Sequence, residues 1–216
     1  MKTTFICLAN SKKYGERCIA GIEVINNQNF ALAPLLKNDK PKWIRPITVE
    51  GHGQVPAHLV SHIELLQVVQ IEVLRYVPLG YQSENILFDS QSLCVLGKIK
   101  LNENFLDLLI DAQTNKLFGN RAKAVSAENI GTVETSLVLI KVERPEFYMR
   151  DDNQLRAFFR FNYSEYNLPV TDVNFIMKYQ QNPNLLDHAD HIYFTVSLGI
   201  EFEGFHYKLV AGVDWL

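Results

Sequence analysis

The sequence predicts a predominantly β protein, all-β to β-rich α+β, built as two small Greek-key barrels packed together with one or two accessory helices. Three observations carry this reading. Short runs rich in β-branched and aromatic residues recur along the chain, separated by Gly, Asn, Asp and Pro. Helical spacing appears in only two places. A polar, glycine-containing stretch near the middle divides two series of strands of similar length.

The strand-like runs span 3–9, 18–25, 43–48, 66–77, 136–144, 155–163, 192–197 and 207–213. A helix is expected over 102–112, where Asn102 can cap and Phe105, Leu108, Leu109 and Ala112 share a face, and a weaker one over 173–179. The stretch 118–135, FGNRAKAVSAENIGTVET, is expected to link a first domain, 1–117, to a second, 136–216. Each side then holds four or five candidate strands, the content of a five-stranded barrel of the OB type. No residue-level repeat relates the halves.

Composition bounds the function. Of 216 residues, 47% are hydrophobic and 21% charged, which excludes a disordered chain and a coiled coil. The net charge of −3 hides an asymmetry: residues 1–45 hold eight Lys or Arg against three acids, +5 locally, so the remainder is −8. Such a basic portion suits an anionic partner, although basic loops that merely solvate a surface are the commoner cause. Cys7, Cys18 and Cys94 form no CxxC pair and are odd in number, which fits a reducing cytosol and indicates neither a disulfide framework nor a zinc knuckle. The apolar run in MKTTFICLANSKK is interrupted and continues as strand, so a secretory leader is not expected. No stretch approaches the ~20 apolar residues of a membrane span.

Catalytic patterns are poor. His58 and His62 lie four apart and His188 and His191 three apart, but no HExxH or matching Cys or carboxylate cluster accompanies them, so neither a metal nor a cofactor is expected. The chain lacks a Walker loop, GxGxxG and GxSxG, and Asp151-Asp152 sits in a turn-like stretch, so no enzyme is expected.

Binding patterns are richer. In LANSKKYGERC, a strand runs into Asn10-Ser11, read as turn formers, and Lys12, Lys13 and Arg17 then flank Gly15: a basic hairpin tip able to hold a phosphate, or simply a solvated hairpin. In KWIRPI, period-2 alternation puts Trp43 and Arg45 on one face, a base-stacking ring beside a cation, or an internal stack at the core's edge. In LRAFFRFNY, it puts Arg156, Phe158 and Arg160 on one face and Ala157, Phe159, Phe161 and Tyr163 on the other, which is the core. The first of these faces reads as a ligand surface unless another element covers it.

LANSKKYGERCIAGIE, WIRPIT, YNLPVTD, VSLG and YKLVAGV follow one another in an order that resembles the prokaryotic dual OB-containing domain family, over nearly the whole chain. The resemblance implies two packed OB barrels and a role in nucleic-acid or nucleotide recognition, in mobile-element or defence-associated settings. Its motif positions here are Asn10, Ser11, Lys12, Arg17, Trp43, Arg45, Thr171, Asp172 and Lys208, with Tyr14 standing where a smaller or basic residue is expected. The first expectation is a cytoplasmic, non-catalytic module for nucleic acid, single strands preferred. The alternatives are a sensor of a nucleotide-like ligand between the barrels, using Arg45, Thr171 and Asp172, or a protein-interaction adaptor.

Overall fold

The computed structural model describes residues 1–26, 32–49, 53–99, 103–110 and 115–216. The chain divides into two compact units, Met1–Leu109 and Ile110–Leu216. Both are predominantly β, as expected.

The first unit contains β1 (Lys2–Lys13), β2 (Glu16–Asn26), β3 (Leu32–Pro34), β4 (Leu36–Lys37), β5 (Lys40–Pro41), β6 (Trp43–Ile47), α1 (Ala57–Val60), β7 (Gln67–Tyr76), β8 (Asn85–Lys98) and α2 (Glu103–Asp107). Strands β1, β7, β8, β6 and β2 are joined in that order, and β2 pairs back onto β1, so five strands close a ring. Only the β6–β8 pairing is parallel, which is the Greek-key order of an OB barrel. Closure depends on β1 bending. Residues 2–6 pair with β7 and residues 5–13 with β2, with a register break between Cys7 and Ala9 that lets one strand serve both neighbours. Strands β1 and β2 cross so closely that a Cβ at Gly21 would stand 1.9 Å from the Ile6 carbonyl oxygen. Phe5, Cys7, Ile19, Ile44, Val69 and Phe88 fill the interior.

The second unit contains β9 (Ala124–Ser126), β10 (Leu137–Met149), β11 (Leu155–Phe161), β12 (Ser164–Pro169), α3 (Val173–Gln181), β13 (Ile192–Phe202) and β14 (Phe205–Trp215). Its sheet runs β12-β11-β10-β13-β14-β9 and curls until Val170, just past β12, meets Val210 of β14 at a single parallel bridge. The order matches that of the first unit, with β10 playing the part of β1. Residues 137–142 of β10 pair with β13 and residues 143–149 with β11, and the break between Glu143 and Glu146 holds Arg144 at φ +43°. A helix lies between the third and fourth barrel strands in each unit, α1 in one and α3 in the other.

Some elements differ from the sequence reading. The weak helix at 173–179 forms as α3, whereas the stronger one is seen as α2, with Asn102 and Ala112 outside the described residues. Strand β1 does not turn at Asn10-Ser11: it continues to Lys13, and Tyr14-Gly15, both at positive φ, make the hairpin, as primed turns require. Within 118–135, Ala124–Ser126 is recruited as β9 by pairing with Phe205–Tyr207.

Candidate nucleic-acid interface

In the first unit, most of the residues singled out are committed to the fold. Asn10 is 3% exposed, and its Nδ2 donates to the carbonyls of Val60 and Ile63, both at 2.8 Å, closing the C-terminal end of α1 against β1. Ser11 is buried, with its hydroxyl 3.5 Å from the Cys18 carbonyl. Lys12 is exposed and Lys13 half-buried. Burial pulls the Lys13 ammonium below its ordinary value, the nearby Cys18 opposes this, and the Arg45 charge adds to it. Arg17 is half-buried, and its backbone exchanges hydrogen bonds with Val55 at 3.0 and 2.8 Å.

Trp43 and Arg45 share the outward side of β6, while Ile44 points into the core. Arg45 nevertheless does not face a ligand. It is 2% exposed, its Nη2 meets Glu84 Oε1 at 3.1 Å, and its backbone N–H donates to the Glu84 carbonyl at 2.9 Å. The segment before β8 thus folds over β6 and supplies the counter-charge that a buried guanidinium needs. Trp43 is left half-buried beside Ile22.

In the second unit, Thr171, Asp172 and Lys208 are also structural. The backbone N–H and hydroxyl of Thr171 both donate to the Val210 carbonyl, at 2.8 and 3.2 Å. Asp172 caps α3: its Oδ1 accepts from the Phe175 N–H and its Oδ2 from the Val213 N–H, both at 3.0 Å, tying the helix to β14. Burial pushes its carboxyl up to about 6, against the pull of those N–H donors. Lys208 is fully buried, and its Nζ donates to Asn120 O at 2.9 Å and Asn120 Oδ1 at 2.8 Å, with the Tyr166 ring 5.1 Å away. Burial pushes this ammonium down to about 7. A ligand cannot reach it.

The outward side of β11 is different. Leu155, Ala157 and Phe159 point into the core, and Arg156, Phe158 and Arg160 point away from it, as alternation predicts. Phe158 is half-buried between Asn167 of β12 and Glu146 of β10. Arg156 Nε donates to Asn167 Oδ1 at 2.9 Å and Nη1 to Gln154 Oε1 at 3.2 Å, both neutral partners. Arg160 is exposed and meets Glu165 Oε1 at 2.8 Å. Tyr148, opposite Arg156, is exposed and accepts from Asn167 Nδ2 at 2.6 Å. The face therefore alternates rings, guanidiniums and amides, with Glu143, Glu146 and Glu165 tempering its charge.

Tyr163 is not a core residue. The chain reverses at Asn162-Tyr163, both at positive φ, and leaves the tyrosine 100% exposed at the tip. With Arg121, Arg160, Ser164 and Glu165 it lines a cavity of about 510 Å³. The sequence reading missed Tyr148, Asn167, Arg121 and Tyr163; the alternation of Ser164, Tyr166 and Leu168, buried, with Glu165 and Asn167, exposed, was the signal that marked β12. Among the described residues, no group of three or more His, Cys, Asp or Glu is placed to hold a metal, and no helix is long and apolar enough to cross a membrane.

No curated protein matches the chain in sequence. Among solved structures, the chain is similar to a murine DNA-binding protein bound to double-stranded DNA, at 8% identity and a TM-score of 0.34, covering 100% of this chain and 97% of that one. It is similar to the Ifi202 HINa domain in complex with a 20-bp duplex, at 9% identity and a TM-score of 0.37, over 100% and 95% of the two chains. A replication protein A heterotrimer bound to single-stranded DNA is similar at 8% identity and a TM-score of 0.37, over 100% of this chain and 48% of that one. Likenesses this remote carry nothing about a ligand. Residues 3–213 match the dual OB-containing domain, and with two barrels of OB order on the same residues, the chain belongs to that family.

Proposed function

We propose that the protein is a non-catalytic nucleic-acid-binding module that takes a single strand across the outward side of β11 in the second unit. The observation that carries this is Phe158, half-open on a sheet face with a guanidinium two residues to either side. An OB barrel presents the side of its second and third strands to oligonucleotides, and those strands here are β11 and β12. A base stacked on Phe158 or Tyr148 leaves adjoining phosphates within reach of Arg156 and Arg160. Because Glu165 already pairs with Arg160, few phosphates are neutralised, so affinity falls only gently with salt. Cys7, Cys18 and Cys94 are all thiols, which suits a cytoplasmic setting.

Phe158→Ala tests the reading. Stacking contributes about 1–3 kcal/mol per base, so affinity for a short single-stranded oligonucleotide drops about 5- to 150-fold while the unfolding midpoint barely moves. A folded variant with unchanged affinity removes β11 from the interface, and so does a variant whose loss of binding merely follows unfolding.

A further inference from the structure

The segment leading into β9 is held with unusual completeness at Asn120. Its carbonyl accepts from Lys208 Nζ and from the Tyr166 hydroxyl at 3.1 Å, its Oδ1 from Lys208 Nζ and from the Ala122 N–H at 2.9 Å, and its Nδ2 donates to the Ala124 carbonyl at 3.2 Å. What this clasp fixes is a pair of exposed cations, Arg121 and Lys123. An aromatic hairpin tip stands to either side of them. Tyr163 shares its cavity with Arg121 and Arg160. At the other tip, Glu203-Gly204, Phe202 is 62% and Phe205 45% exposed; both rings lie near Tyr207, at 6.5 and 6.4 Å, and Lys123 Nζ sits 5.8 Å from that same Tyr207 ring.

Such turns ordinarily hold Gly, Asn or Asp, and a tyrosine at φ +63° is strained as well as solvent-exposed. Three exposed rings interleaved with three cations have the composition of a stacking platform for single strands. They lack that of a protein-docking patch, whose centre is depleted of charge. Arg160 belongs to both surfaces: it ends the row begun by Arg156 and Phe158, and it forms a wall of the Tyr163 cavity.

We propose that this end of the second barrel, from Tyr163 across Arg121 and Lys123 to Phe205 and Phe202, is a second binding surface for single-stranded nucleic acid, continuing the track that crosses β11. It rests on the function proposed above and extends it. Bases meet Tyr163, Phe202 and Phe205, and phosphates meet Arg121 and Lys123. Glu201 and Glu203 keep the backbone away from the second tip.

The test measures anisotropy of the full chain with labelled oligothymidylates of about 6 and about 20 nucleotides, lengths chosen to fall within and beyond the span of one barrel face. Tyr163→Gly removes a ring while relaxing its turn, so loss of fold is no alternative explanation, and the double variant Phe202→Ala/Phe205→Ala removes the other tip. Each is expected to weaken the long strand at least about 5-fold and leave the short one almost unchanged, whereas Phe158→Ala weakens both. A further double variant, Arg121→Gln/Lys123→Gln, keeps every ring and is expected to flatten the salt dependence of the long strand by about 1.4 in log–log slope, about 0.7 for each phosphate that is no longer neutralised. The proposal is overturned if the tip variants bind the long strand like the wild type, if they weaken both lengths equally, or if a duplex competes as well as the long strand. Wild-type protein that binds neither length sinks the parent reading too.

Discussion

Replacing Asp172 with Asn tests the physical account of how the second barrel is locked. The carboxylate is buried, yet it accepts from two backbone N–H groups, Phe175 on α3 and Val213 on β14. Burial favours the neutral acid and the donors favour the anion, and burial wins, raising the carboxyl from 3.8 to about 6. Because the folded value is raised, the stability linked to the protonated form is complete below 3.8 and is lost as pH climbs through about 6. The gap corresponds to ~3 kcal/mol at 1.36 kcal/mol per pH unit. Asn is an uncharged analogue of the protonated acid and lacks this dependence. The stability of Asp172→Asn minus that of wild type is therefore expected to shift by ~3 kcal/mol in favour of Asn as pH rises from below 3.8 to above 6, whatever offset the amide introduces. Urea unfolding read from Trp215, whose ring lies 5.9 Å from Phe175, measures this locally once Trp43 is replaced with Phe, since the chain holds only two tryptophans. The other carboxylates titrate alike in both proteins and cancel. A difference that stays flat with pH, or that moves towards wild type, overturns this account by showing that the N–H donors cancel burial or outweigh it.

Two further substitutions separate fold from binding in the first unit. Asn10→Ala strands the buried Ile63 carbonyl, while that of Val60 keeps the Ile63 N–H as its donor, and is expected to cost about 1–3 kcal/mol, read as a lowered unfolding midpoint of Trp43 fluorescence with Trp215 replaced by Phe; a loss under ~0.5 kcal/mol would mean that water replaces the amide. Glu84→Gln leaves the Arg45 guanidinium buried without its counter-charge, at a cost of about 3–5 kcal/mol, while the oligonucleotide affinity of the folded fraction stays unchanged; weakened affinity in a fully folded variant would return Arg45 to the interface.

The periodicities of this chain are local, and what depends on them was legible. Alternation at 155–161 assigns every side chain of β11 to its correct side, and the apolar spacing over 173–179 marks α3, although not Asp172 as its cap. The same rule failed where it was carried past a local boundary. Extended two residues too far, it placed Tyr163 in the core, although the chain had already reversed at Asn162. Polar centres hid two strands, β8 with Asp-Ser-Gln-Ser in its middle and β12 with Glu and Asn on its open side, and without β12 the neighbours of Phe158 could not be identified.

The motif residues show the deeper division. Asn10, Arg45, Asp172 and Lys208 are polar residues on strands or at helix starts, and by residue type each suits a ligand as well as a fold. Their partners decide between these roles, and the partners are remote: Val60 and Ile63 for Asn10, Glu84 for Arg45, Val213 for Asp172, and Asn120, 88 residues away, for Lys208. Strand identity follows from short-range alternation, so a β-rich chain of two barrels is already implied by the order of its residues. Burial of a polar side chain follows instead from ring closure, which brings distant segments over it. No local pattern encodes that closure, and it is the folded chain that commits these four residues to holding the barrels shut while Phe158 and Tyr163 remain open to solvent.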